Sequence, residues 1–167
     1  IGDGAGLRNY FSGAAYGIKS SNSSINIENN LFTNMIRDDD QYYHRNDGTA
    51  ILANSTIGNT INIFGSNEFE NSPFAVTFNG NIQSDIQGNS FTNLLLGITI
   101  INNSSNVNIN ENNSFTSVST AIIGRSITGN FQVDNNTFEN TVPATISSLP
   151  NTSFNSTAVT LQNSKKN

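Results

Sequence analysis

Val107-Asn-Ile-Asn-Glu-Asn-Asn-Ser-Phe115 is the stretch whose reading decides the fold. Val107 and Ile109 alternate with polar residues, a period of two that suits a strand rather than a helix, and a pair of amides then leads to Phe115. The same arrangement returns as Ile25-Asn-Ile-Glu-Asn-Asn-Leu-Phe32, Ile61-Asn-Ile-Phe-Gly-Ser-Asn-Glu-Phe69, Asp85-Ile-Gln-Gly-Asn-Ser-Phe91 and Phe131-Gln-Val-Asp-Asn-Asn-Thr-Phe138. With Phe11 added, the phenylalanines lie 21 to 24 residues apart except for one interval of 37, from Phe32 to Phe69. A period of this size signals a solenoid, in which each repeat buries its apolar face against the next.

Two amide columns accompany the phenylalanines. Asn9, Asn30, Asn67, Asn89, Asn113 and Asn136 stand two places before Phe; Asn34, Asn71, Asn93 and Asn140 stand two places after it, with Gly13 and Ser117 as exceptions. Six to nine residues beyond Phe a third apolar stretch follows, as Ala75-Val-Thr-Phe78, Gly97-Ile-Thr-Ile100, Ala121-Ile-Ile123 and Ala144-Thr-Ile146. Each coil is thus expected to hold three short strands, paired in parallel with their equivalents one coil later, with the phenylalanines stacked inside about 4.8 Å apart. Asn suits the corner before Phe because it tolerates the left-handed backbone region and its amide can bond to the Asn above and below. Burial of a Phe is worth more than one amide bond, so Phe115→Ala is expected to destabilise more than Asn113→Ala.

The β-branched strand leading to Asn-x-Phe and then Gly-Ile resembles the repeats of the right-handed parallel β-helix of pectin-lyase-like proteins, over about residues 9 to 161. The resemblance implies an all-β solenoid of about six to seven coils with three short strands each, a single domain over 1–167 that is expected to be a segment of a longer protein. It does not choose a function, since that family includes polysaccharide lyases and hydrolases, phage tailspikes and surface adhesins.

The long interval marks an inserted loop at 35–48. Met35-Ile-Arg-Asp-Asp-Asp-Gln-Tyr-Tyr-His-Arg-Asn-Asp-Gly48 holds four of the seven Asp, the one His and two of the four Tyr. Insertions in a solenoid project as loops from one face, and such loops commonly carry function. Asp38, Asp39, Asp40 and Asp47 offer hard oxygen ligands for Ca²⁺. Arg37, Tyr42, Tyr43, His44 and Arg45 offer a binding surface, the tyrosines by stacking on sugar rings. Were the protein an enzyme, Asp38, Asp39, Asp40, His44 and Arg45 would be the catalytic candidates. The plain alternative is an ordinary solvated excursion with the tyrosines packed back on the coil. The Asp-Asp, Gly-His-Gly and Arg-Ile-Lys elements of polygalacturonase-like members are not reproduced. His44 is flanked by Tyr43 and Arg45, and the stretch after the loop offers Ala75, Thr77, Gly97, Thr99 and Ala121 as an outward face without an acid.

Composition narrows the setting. The chain has 167 residues, 31 of them Asn and 37 Ser or Thr, with 11% charged residues and no Cys. A formal net charge of -5 gives no electrostatic basis for holding a phosphate backbone, so no nucleic-acid partner is expected. No apolar run approaches the length of a membrane span. The Ser/Thr pairs 90/92 and 114/116 resemble the hydroxyl grid of an ice-binding solenoid, but Glu68, Glu70 and Glu139 interrupt that face. The leading expectation is a non-enzymatic extracellular module, a stalk, adhesin-like or glycan- or partner-binding scaffold of a larger bacterial surface or secreted protein or phage fibre. A polysaccharide lyase or glycoside hydrolase with its cleft beside the 35–48 loop is the alternative, and a structural subunit of an assembly a third. No cofactor beyond Ca²⁺ is expected, and a polysaccharide or a protein covering the coil ends is the expected partner.

Overall fold

The computed structural model describes residues 1, 8–37, 47–139 and 157–162. Among these the chain forms twelve strands: β1 (Asn9–Ser12), β2 (Tyr16–Ser21), β3 (Ile25–Glu28), β4 (Asn30–Thr33), β5 (Thr49–Phe64), β6 (Glu68–Ile86), β7 (Ser90–Ile101), β8 (Val107–Ile109), β9 (Ser114–Arg125), β10 (Phe131–Val133), β11 (Thr137–Glu139) and β12 (Thr157–Gln162). Every pairing is parallel, and each joins strands about one coil apart, so the chain is a parallel β-helix. Three faces result. The first runs β1-β4-β6-β7-β9-β11, the second β2-β5-β6-β7-β9-β12, and the third β3-β5-β6-β8-β10. Strands β5, β6, β7 and β9 continue round corners and contribute to more than one face, so separate short strands are not kept in every coil. The solenoid makes about five turns, fewer than the expected six to seven, because the coil begun at β11 is represented only by β11 and β12.

The repeat spacing places like residues on top of one another. Phe11, Phe32, Phe69, Phe91, Phe115 and Phe138 form one continuous stack with ring centroids 4.6 to 5.1 Å apart and planes within 11° of parallel. Beside it run the aliphatic columns Ile27, Ile63, Ile86, Ile109, Val133 and Ile18, Ile51, Val76, Ile98, Ile122, Val159. A one-residue shift would turn these columns outward, and the register change between Ser55 and Asn59 in β5 is of two residues, which keeps them inward.

Six asparagines form the inner corner. The first five each donate from Nδ2 to Oδ1 of the counterpart one coil later: Asn9 to Asn30, Asn30 to Asn67, Asn67 to Asn89, Asn89 to Asn113 and Asn113 to Asn136, at 2.9 to 3.1 Å. The left-handed backbone lies elsewhere than expected. It falls on the residue before the ladder, at Asn29, Ser66, Gly88, Asn112 and Asn135, leaving the ladder amides free to point inward. Among the described residues the column two places after Phe is also left-handed, at Gly13, Asn34, Asn71, Asn93 and Ser117, so its two exceptions are residues that meet the same backbone demand.

The second face corrects another expectation. Ala75, Gly97 and Ala121 are buried and turn inward: a Cβ at Gly97 would lie 2.5 Å from the Ala121 carbonyl oxygen and 3.1 Å from the Phe115 ring. The ladder pairs Phe74 with Leu96 and Val76 with Ile98 at one unchanged offset, and the position between them is buried as well, so two successive residues of this stretch are enclosed without a register slip. Thr77 and Thr99, each between two core residues, are left as the outward members of that set, and both are buried.

Candidate functional site

In four coils the second face begins five residues after Phe, at Tyr16, Phe74, Leu96 and Thr120. Two coils depart from this. Thr49 follows Phe32 by 17 residues, and Thr157 follows Phe138 by 19, each taking the same place in the sheet. Both excursions therefore leave at one corner of the solenoid, between the first and second faces. The second was not anticipated, and the sheet position expected for Ala144-Thr-Ile146 is filled by Thr157–Gln162. Residues 144–146 themselves lie outside the described residues.

The first excursion is pinned at both ends. Met35 is buried in the core, and its N–H donates to Ser72 Oγ at 3.1 Å; the Ile36 N–H donates to the Ala14 carbonyl at 3.0 Å. On the return, the N–H groups of Gly48 and Thr49 both donate to the Ala15 carbonyl, at 2.8 and 3.1 Å, and the Phe74 N–H donates to Gly48 O at 3.2 Å. Gly48 has a φ of 82° and presses on Pro73, whose Cγ would be 2.8 Å from an added Cβ. The loop root is thus held between the first and third coils.

At this root Asp47, only 2% exposed, meets Tyr16 of the first coil, whose hydroxyl hydrogen-bonds to the carboxylate. Burial, then that hydrogen bond and then the Asp47 charge push the Tyr16 phenol up to about 12. A phenol so held is a hydrogen-bond donor at neutral pH, not a base or a nucleophile. Lys19 Nζ lies 4.9 Å from the Tyr16 ring centroid, and Arg37 is half-buried on the outgoing limb. Of the expected site residues, Asp38, Asp39, Asp40, Tyr42, Tyr43, His44 and Arg45 lie outside the described residues, and Arg37 and Asp47 lie within them. Of the four candidate Ca²⁺ ligands, Asp47 alone is described, and Tyr16 engages it. Tyr16 itself was missed. Its signal was the offset of five from Phe11, which places it over Thr49.

The raised phenol has a pH consequence. The unfolded chain releases the Tyr16 proton near its ordinary 10.0 while the native chain keeps it to about 12, so stabilisation present below pH 10 is lost between pH 10 and 12. Melting temperatures taken across that range are expected to fall less steeply in Tyr16→Phe than in the wild type. Identical slopes would remove the pair as a fastening of the loop root.

No family model, curated protein or solved structure matches the chain.

Proposed function

We propose that this β-helix is a non-enzymatic extracellular module, a rigid scaffold of a larger surface or secreted protein that presents the 35–48 loop to a glycan or protein partner. The observation that carries this reading is the unbroken Asn ladder and Phe stack through every coil. Its outer faces are bonded in the same manner: Asn62 to Asn26 at 3.1 Å, Asn108 to Asp85 at 2.7 Å, Asn93 to Asn71 at 2.8 Å and Asn102 to Asn79 at 3.2 Å. Polar side chains spent on neighbouring coils stiffen a rod rather than assemble a reaction centre. A surface of amides and hydroxyls with 11% charge suits an exposed stalk. The loop root is fastened to the first and third coils, a firm base for what it carries.

The other reading is a polysaccharide lyase or glycoside hydrolase whose cleft borders the loop, with its chemistry on the Asp, His and Arg side chains of 38–45 rather than on the Asp47–Tyr16 pair. Incubation with acidic and neutral polysaccharides, with and without Ca²⁺, distinguishes the two. The scaffold reading expects no unsaturated products or new reducing ends, and retention on one glycan or partner that is lost when 37–47 is deleted. Products that vanish with the same deletion establish the enzyme instead.

A further inference from the structure

Of the 31 asparagines one alone is followed by glycine, in the pair Asn79-Gly80. Such a pair carries its own chemistry. With no side chain on the following residue, the backbone nitrogen after Asn is unshielded and can attack the side-chain carbonyl carbon of that Asn. The pair stands where β6 leaves the second face. Ser21, Asn54, Asn79, Ile101 and Arg125 form one column there, and the residues after three of them, Asn22, Asn102 and Ser126, have φ of 50 to 55°. Gly80 follows Asn79 with a φ of 96°, and a Cβ on it would lie 2.0 Å from the Ser55 carbonyl oxygen, so at this corner only glycine fits.

The fold holds both residues away from reaction. Asn79 is paired in parallel with Asn54 on one side and Ile101 on the other, and Gly80 with Ser55. The exposed Asn79 side chain accepts from Asn102 Nδ2 at 3.2 Å and donates to Asn54 Oδ1 at 3.5 Å. Attack would bring the Gly80 nitrogen onto Asn79 Cγ, which turns ψ of Asn79 out of the extended range that pairing on two sides imposes. It would also draw the amide out of the outer ladder. Phe78 before the pair and Ile82 and Ile86 after it are fully buried, so β6 cannot move aside without uncovering the core.

We propose that Asn79-Gly80 is a self-modification site that the coil keeps closed and that reacts when β6 opens. The Gly80 nitrogen bonds to Asn79 Cγ, the Cγ–Nδ2 bond breaks, and the Gly80 proton leaves with the amide as ammonia, forming a succinimide. Water then opens the ring at either carbonyl, giving aspartate or isoaspartate without any oxidation or reduction. Isoaspartate adds one carbon to the main chain between Phe78 and Ile82, both core residues of a strand paired on two sides, and the aligned columns cannot form again across it. Opening of this coil is thereby made permanent. The inference is independent of whether the loop binds a partner.

Incubation of the chain at mildly alkaline pH, folded and in urea, tests the proposal by peptide mass spectrometry that localises the exchange of NH2 for OH at residue 79. In urea Asn79 is expected to convert ahead of the other asparagines. In the folded chain its conversion is expected to be at least about tenfold slower, because the rate follows the small population of the opened form. A smaller ratio overturns the closed site, and urea-treated chains in which Asn79 has no lead overturn the site itself. Refolding after urea, read by circular dichroism, tests the consequence. The refolded fraction is expected to fall in step with isoaspartate at residue 79 in the wild type and to hold in Asn79→Gln, whose longer side chain closes a ring far more slowly. Chains that refold fully with isoaspartate at 79 overturn the permanent opening, as does an equal loss in Asn79→Gln.

Discussion

Replacing Phe115 by alanine is expected to cost about 3 to 5 kcal/mol, the range for truncating a fully buried aromatic ring. Phe115 lies between Phe91, at 4.6 Å and 7°, and Phe138, at 5.1 Å and 11°, so two stacked contacts go with it. The space left cannot close easily. Parallel ladders on either side hold the coils at strand spacing, and the facing wall is Gly97, which has no side chain to fill a void. A fall in melting temperature of roughly 6 to 20 °C follows for a chain of this size. Phe11→Ala makes the comparison, since Phe11 is half-buried with one stacked neighbour among the described residues and is expected to lose much less. Equal losses at both positions would mean that the stack is not what holds the coils.

The stack was legible because one ring per coil at a nearly constant interval leaves few arrangements, and period-two alternation before each Asn-x-Phe excluded a helix. What escaped was set by backbone geometry. Asn112 and Asn113 are adjacent and chemically identical, yet one takes the left-handed turn and the other enters the ladder; composition cannot tell them apart. Ala75, Gly97 and Ala121 are buried next to Val76, Ile98 and Ile122, which are buried too, and strict alternation does not foresee two enclosed residues in succession. The second excursion escaped because Ala144-Thr-Ile146 has the pattern of a face-two strand at the right distance, while Thr157–Gln162 takes the place through register with Thr120–Arg125. At the candidate site, the loop was recognisable by its broken interval and its Asp and Tyr content. Its partner Tyr16 was not, because the contact joins residues 31 apart across a coil boundary.

Asn113→Ala is expected to cost about 3 kcal/mol or more, close to Phe115→Ala rather than the roughly 1 kcal/mol of a single amide bond. The expectation that the ring far outweighs the amide treated Asn113 as one corner contact, and the geometry gives it five. Its Nδ2 donates to Asn136 Oδ1, Asn110 O and Ile86 O at 2.9, 2.9 and 2.8 Å; its Oδ1 accepts from the Asn89 N–H and Nδ2, both at 3.1 Å. Alanine removes all five at a fully buried position and leaves the Asn89 N–H and the Asn110 carbonyl without those partners. Each orphaned buried group costs about 1 to 3 kcal/mol, because no water replaces the lost bond. Asn108→Ala provides the contrast. Asn108 also bonds to the preceding coil, through Nδ2 to Asp85 at 2.7 Å, but that bond is exposed and water can take its place, so its loss is expected to stay near or below 1 kcal/mol. Urea unfolding of the two variants measures the difference directly. A clear excess for Asn113 makes the inner ladder a buried network whose members support one another along the solenoid axis; equal small losses would reduce it to decoration on a fold held by its rings.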